Sequence, residues 1–339
     1  MKILIIANNI IGDSDGIGKH ARLVKEEFSK REGVEAVIVS RTTTGFSTIK
    51  KFFSLEMHKA FKQAYNYISQ EKPNVVIVEY PFDEFNPIIL LDYRKLHKQC
   101  KKNGARLALS LHEYDRVKYL RRKVIESFMK NSDLVFVSEP HYLETLKPFN
   151  KNIYLRTIPN HIVSKSNNIE KDRRRFVYYG IVNKAKAFEE LIKAWRIVNK
   201  ERNYVLDIVT ISDISVNDSN RYNINLHIGT SDSQVEEILS EVACAVLPIK
   251  PSISFNNGTF VSCAQNGCMI IGIASDDIKN ERFIIQPNEY TPESLAEAIH
   301  KVALMNDDEL KSMQTEARKF GSKFSVESTV SQMLERFEK

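Results

Sequence analysis

The sequence predicts an α/β protein of two doubly wound domains in tandem, and three observations carry that prediction. Short runs rich in Val, Ile and Leu alternate with longer amphipathic stretches along almost the whole chain. The apolar runs are continuous rather than alternating, the pattern of parallel strands covered by helices on both faces. The alternation lapses once, over residues 163–175, "VSKSNNIEKDRRR", where polar and charged residues take over. At 339 residues the chain has room for about two domains of ~150 residues, each with its own core.

Taken in order, "KILIIA", "EAVIVS", "NVVIVEY", "RLALSL", "LVFVS" and "NIYLRTI" read as the strands of the first domain, with helix-like segments between them. Beyond the linker, "FVYYG", "VLDIVTI", "INLHIG", "ACAVLPI" and "CMIIGI" read as strands. The segments "AFEELIKAWRIVNK", "SQVEEILSEV" and "ESLAEAIHKVALM" read as helices. The expected boundaries are a first domain over 1–162, a linker over 163–175, a second domain over 176–322, and a C-terminal helix over 323–339 packing back towards the first domain. Ligands of such sheets lie at the carboxyl ends of the strands, here in the cleft across which the two domains are expected to face each other.

Composition removes several classes. The 49 Lys and Arg against 43 Asp and Glu leave a net charge of +6, mildly basic, which suits a phosphate-bearing ligand or an anionic membrane surface. Basic residues are not interleaved with aromatics in an RNP-like pattern, so nucleic acid is not an expected partner. The apolar run of "MKILIIANN" is too short for a secretory signal, and no stretch nears the ~18 apolar residues of a membrane span, so a cytoplasmic location is expected. Cys100, Cys244, Cys263 and Cys268 show no CxxC pairing with nearby histidines and read as reduced, buried thiols. Neither GxGxxG nor GxxxxGK[ST] occurs, which argues against a dinucleotide dehydrogenase and a P-loop enzyme.

Three stretches could carry chemistry. "SFNNGTFVSCAQNG", Ser254–Gly267, places Asn256, Asn257, Gly258 and Thr259 between a buried strand and a helix. It reads either as a turn in which Thr259 caps the helix, or as an anion site where helix-start amides and the helix dipole meet a phosphate. "SDGIGKHARLVKEEF" offers Asp15, Gly16, Gly18 and His20, the glycines permitting a close backbone approach. "LSLHEY" brings His112 and Glu113 to the end of a strand.

These stretches, in their order along the chain, resemble family 4 glycosyltransferases of the GT-B fold, whose two Rossmann-like domains bind acceptor and nucleotide-sugar donor. "FVYYGIVNKAKAFEELIKAWRIVNK" is similar to the first strand, loop and helix of that donor domain, where the loop usually reads Gly-Arg-Leu-x-x-Glu-Lys-Gly. Gly180 and Lys186 fall on the glycine and the diphosphate-contacting lysine. Ile181 stands at the arginine, and Lys184 is a candidate substitute. "SDGIGKH" resembles the acceptor-domain "GGIGR" loop. Further matches are "LSLHEY", "LVFVSEPHYLETL", "YLRTIPNHI" and "PESLAEAIHKVALMNDDEL". The family's two donor-site glutamates, eight positions apart, align with Ser254 and Ser262. "FNNGT" is closer to a variant donor domain with Asn-Ser-Gly-Thr at this turn, in which helix-start amides hold the diphosphate.

The resemblance implies transfer of a sugar from a nucleotide-diphosphate sugar, with no cofactor beyond that co-substrate. The acceptor would be a glycan or a lipid-linked molecule, in bacterial surface-polysaccharide assembly. No Asp-x-Asp cluster stands in a fitting place, so a metal-independent reaction is expected. An inverting reaction would need a base, for which Asp15, His112 and Glu113 are the candidates; a retaining one would leave His112 to position the donor sugar. Two other readings stand beside this one: a catalytically silent binding protein of the same fold, and a nucleotide-sugar epimerase, for which His227 is the nearest donor-domain histidine. A peripheral site at the inner face of the plasma membrane would rest on Lys50, Lys51, Phe52 and Phe53, and on Arg116, Lys118, Arg121, Arg122 and Lys123 along one helix. The alternative there is a core-facing stripe of Val117, Leu120, Val124 and Phe128.

Overall fold

A computed structural model describes residues 1–10, 16–41, 54–83, 87–115, 117–159, 162, 171–200 and 204–338. The chain divides into two units, one made of Met1–Pro159 with Val326–Lys339, the other of Asn160–Ser325.

The first unit alternates β1 (Lys2–Asn9), α1 (Gly16–Ser29), β2 (Glu35–Arg41), α2 (Glu56–Glu71), β3 (Val75–Tyr80), α3 (Ile88–Lys102), β4 (Arg106–Leu111), α4 (Tyr119–Lys130), β5 (Leu134–Val137), the short α5 (Tyr142–Thr145) and β6 (Ile153–Leu155). Its six strands pair in the order β2-β1-β3-β4-β5-β6, all parallel. Successive side chains of a strand point to opposite faces. Leu4 and Ile6 accordingly join the core under α2 to α4, while Ile3, Ile5 and Ala7 join the core on the other side, with Ala21, Val24 and Phe28 of α1. That second core is completed by Val330, Met333 and Phe337 of the C-terminal helix, α11 in chain order (Val326–Phe337). Thr157 and Thr329 share a 2.9 Å hydrogen bond, and Arg106 donates to the Arg336 carbonyl at 3.0 Å.

The second unit runs β7 (Asp172–Tyr179), α6 (Phe188–Val198), β8 (Val205–Thr210), β9 (Ile224–Ile228), α7 (Asp232–Glu241), β10 (Val242–Val246), α8 (Gly258–Gln265), β11 (Met269–Ile271), β12 (Ile284–Ile285), α9 (Pro292–Ala303) and α10 (Asp307–Ser322). Its sheet is also parallel, in the order β12-β11-β10-β7-β8-β9. Trp195 of α6 is fully buried and donates its indole N–H to the Tyr222 carbonyl at 2.8 Å.

Three features differ from the sequence reading. β7 begins at Asp172, inside the stretch read as linker, because Arg175 is held by Asp207 at 2.9 Å and by Glu241, so the "DRRR" cations sit on a strand. The two-residue strand β12 has no apolar run long enough to announce it. On α4 the buried face is Ile125, Glu126, Phe128 and Met129, whereas Leu120 is 68% exposed and leaves the expected core stripe.

The basic run on α4 is also partly committed to the fold. Arg121 donates to the Tyr80 hydroxyl at 3.1 Å and to the Phe82 carbonyl, and Arg122 donates to the Asp115 carbonyl at 3.1 Å. Lys123 pairs with Glu126. Arg116 and the segment with Lys50, Lys51, Phe52 and Phe53 lie outside the described residues. The described residues include no helix long and apolar enough to cross a membrane. All four cysteines are free and buried.

Candidate active site

In the second sheet β7 is the first strand, and the chain winds from it towards β8 and β9 on one side and towards β10 to β12 on the other. The place where the winding reverses lies between β7 and β10, and loops leaving the carboxyl ends of two such strands diverge into a ligand crevice. The β7 loop runs from Gly180 to Ala187 and the β10 loop from Leu247 to Asn257. They are tied together by backbone: the Ala187 N–H donates to Pro248 O at 2.9 Å, the Lys250 N–H donates to Ala185 O at 2.8 Å, and Lys186 forms a bridge with Ile249.

Gly180 has φ +135°, outside the comfortable range of an L side chain, and a Cβ there would lie 3.1 Å from Thr259 Cγ2. The glycine thus lets the start of α8 close against the end of β7. The first turns of α7, α9 and α10 are closed by side chains of Ser231, Thr291 and Asn306, each accepting a backbone N–H. At α8 the N-cap residue is Asn257, not Thr259, and it makes no side-chain cap. Its Oδ1 instead accepts the Ser254 N–H at 2.7 Å. Thr259 therefore stands one residue inside the helix, a correction to the capped-turn reading. Nothing lies within 4 Å of a Cβ built on Gly258, so the helix start has open space before it. Asn256 Oδ1 is buried without a hydrogen-bond partner. Lys186 is half-buried, and desolvation lowers its ammonium pKa below the usual value, while Lys184 is exposed on the turn before it. The arrangement offers helix-start amides, a helix dipole and a half-buried ammonium to one anionic group.

In the first unit a second polar group gathers at the carboxyl ends of β3 and β4. Glu79 on β3, with a fully buried side chain, lies 2.7 Å from His112 Nε2, just past β4. Ser110 of β4 donates its hydroxyl to Glu79. Arg156, also fully buried, lies 2.6 Å from the Ser110 hydroxyl, 3.6 Å from Glu79 and 2.9 Å from His112 Nε2. His20, reaching in from α1, stands edge-on to His112 with ring centres 4.8 Å apart, its Nε2 3.6 Å from Glu79 Oε1.

Burial, and then the Arg156 charge, push the His112 imidazole down to about 3, and burial also lowers His20. Burial alone would raise the Glu79 carboxyl, but the two imidazoles and Arg156 outweigh it and hold the group well below the usual carboxylate range. With both rings neutral, the standing positive charge beside Glu79 is that of Arg156. His20, Glu79 and His112 lie within 4.8 Å of one another, as metal ligands do. Arg156 already neutralises the one carboxylate, however, so a divalent ion would be forced against a buried cation.

No protein-family model matches the chain, and no curated protein does. Solved structures match it over essentially its full length. A glycosyltransferase from Rickettsia africae aligns with TM-score 0.70 at 15% identity, covering 99% of this chain and 97% of that one. An alpha-glucosyltransferase in complex with UDP-glucose and DNA containing an abasic site aligns with TM-score 0.66 at 14% identity, covering 100% of both chains. Anabaena HepE in complex with UDP aligns with TM-score 0.64 at 10% identity, again covering 100% of both. The chain has the GT-B fold. At these identities the likeness is one of fold.

In this GT-B chain the structure brings Gly180, Lys186, Asn256 and Asn257 onto the two joined loops of the second unit, and Gly258 and Thr259 onto the first turn of α8. Ile181 is 52% exposed beside them. In the first unit it brings His20 to His112, and leaves Glu113 half-buried, outside their hydrogen-bonded group. Asp15 lies outside the described residues, and α1 begins at Gly16. Gly18 has a packing reason of its own: a Cβ there would fall 1.7 Å from the Asn9 carbonyl oxygen, so the glycine seats α1 on the end of β1. Glu79, Ser110 and Arg156 were missed by sequence reasoning. Glu79 left one signal, a single acid inside the apolar run "NVVIVEY".

Proposed function

We propose that the chain transfers a sugar from a nucleoside-diphosphate sugar to an acceptor hydroxyl. The observation that carries this reading is the junction of the β7 and β10 loops at the point where the second sheet reverses, with the start of α8, where the N-cap residue Asn257 makes no side-chain cap, and Lys186 on it. The reading is supported by the UDP and UDP-glucose bound to GT-B proteins of similar fold. Amides and an ammonium there would neutralise the departing diphosphate without a metal. His112, in the first unit, is a weak base when held near 3, which favours a hydrogen-bonding role over proton abstraction.

For the acceptor we propose a glycan or lipid-linked molecule of surface-polysaccharide assembly, on the resemblance alone. The expectation that nucleic acid is no partner draws no support from a neighbour solved with DNA, so DNA belongs in any acceptor screen. An epimerase is disfavoured because His227 is held by Asp207 at 2.9 Å within the β8–β9 ladder.

Titration calorimetry against UDP, other nucleoside diphosphates and the bare nucleosides tests the donor reading. Binding of a diphosphate but not of its nucleoside is expected. No binding of any nucleotide would overturn it, and binding without turnover of any nucleotide sugar would favour a silent binding protein.

A further inference from the structure

The buried group around Glu79 is larger than a strand end needs. A carboxylate on β3 and a guanidinium just past β6, both fully buried, are costly to desolvate unless their geometry is used. Of the four ionisable side chains, only His112 reaches the surface, with 11% of its side chain exposed against 0% for Glu79 and Arg156 and 4% for His20. Whatever the group does, it does through that ring.

A neutral imidazole carries one proton, and which nitrogen holds it is set by the partner of the other. An ionised carboxylate can only accept. Glu79 Oε2, 2.7 Å from His112 Nε2, therefore calls for a proton on Nε2. Arg156 can only donate, and its Nη2 lies 3.5 Å from Nδ1, too far to satisfy that nitrogen. The same Nη2 stands 2.9 Å from Nε2, where it would compete for a bare nitrogen. The shorter contact to a full negative charge prevails, and the guanidinium is satisfied by the Ser110 hydroxyl at 2.6 Å. Glu79 holds one proton on Nε2 and by its charge would also favour a second, but burial, Arg156 and His20 packed edge-on outweigh it and keep the ring neutral.

We propose that Glu79 is a positioning residue that fixes His112 as the Nε2–H tautomer, so that the ring offers an unprotonated Nδ1 as hydrogen-bond acceptor to a hydroxyl of the sugar or of the acceptor. The part concerning substrate rests on the sugar-transfer reading; the tautomer does not. An equivalent carboxylate orients the imidazole of hydrolytic triads, where the corresponding amide leaves the geometry intact and gives the wrong tautomer.

Two measurements decide it. In wild-type protein labelled with 15N-histidine, long-range proton–nitrogen correlation should show His112 as neutral Nε2–H from pH 8 to pH 5, needing no variant and no substrate. An Nδ1–H ring, or a ring that protonates near pH 6.5, would overturn the proposal. Joint displacement of the His20 and His112 resonances by one equivalent of zinc would overturn it as well, in favour of a metal site. The second measurement compares Glu79→Gln with wild type in UDP binding and in transfer. The expected result is an unchanged Kd for UDP, a kcat lower by about 100-fold or more, and a His112 ring shifted towards Nδ1–H. Full kcat with an altered tautomer would overturn the substrate role and leave the sugar-transfer reading standing. Failure of wild type to bind any nucleotide would overturn that reading, while the tautomer would still be decided by the spectrum.

Discussion

Gly258 and Gly18 look alike in the sequence and are set apart by the space around them. A side chain at Gly258 meets nothing within 4 Å, so Gly258→Val should fold with a near-native melting temperature while its branched side chain screens the α8 amides. Its affinity for UDP should fall by about 1–3 kcal/mol, the scale of charge-assisted hydrogen bonds, as read by calorimetry. Gly18→Ala, with its Cβ in the Asn9 carbonyl, should instead lower the melting temperature of the first unit and leave UDP binding intact. Lys186→Ala should raise the Kd for a nucleoside diphosphate far more than for the nucleoside. Because burial lowers the Lys186 pKa, it loses its proton at a pH below that of an ordinary lysine, so UDP affinity should start to fall in that alkaline range as pH rises. In the alanine variant that decline should vanish. The loops that meet beside α8 were legible as special ones because glycine, asparagine and lysine stand there between a strand and a helix. Glu79 and Arg156 were not, since 77 positions of sequence separate side chains that the sheet order β3-β4-β5-β6 brings together.

Strands and helices were legible wherever burial on both faces left an uninterrupted apolar run, as in β1, β3 and β10. They were obscured where ion pairs replace apolar burial. β7 opens on four charged residues, of which Arg175 is met by Asp207, fully buried on the adjacent strand β8, and by Glu241 at the end of α7, and Arg173 by Asp307, countercharges supplied from far along the chain. The last helix is the element whose removal is most informative. Val330 and Met333 are fully buried and Phe337 nearly so, against Phe28 and Phe136 of the first unit. At about 1.5–3 kcal/mol for each large apolar side chain, deleting residues 326–339 should cost the first unit most of a typical stability margin. Calorimetry of the truncated chain should show the transition of the first unit lowered or lost and that of the second unit, Asn160–Ser325, retained.

At the scale of the whole molecule the two units should differ in their response to acid. His20 and His112 are kept neutral in the folded first unit but protonate in the unfolded chain near pH 6.5, so the unfolded state binds more protons below that pH. Each ring then removes about 1.4 kcal/mol of stability per pH unit on acidification, and the loss continues down to the depressed folded values. Scans between pH 7 and 5 should show one transition moving down steeply and one moving little, with His20→Asn flattening the steep one. Equal slopes for both transitions would refute this assignment. The GT-B architecture was legible as two alternating halves; the return of the last helix to the first domain, expected over 323–339, rests on contacts such as that of Phe337 with Phe28 and Phe136, which no local pattern displays. That return also sets a timetable. A ribosome making about 5–20 residues per second delivers Met1–Pro159 first, yet the strip under α11 stays uncovered while Asn160–Ser325 is synthesised, on the order of 10–30 s. The half of the protein that is made first is the half that finishes folding last, and in that interval Phe28 and Phe136 are what a chaperone would hold.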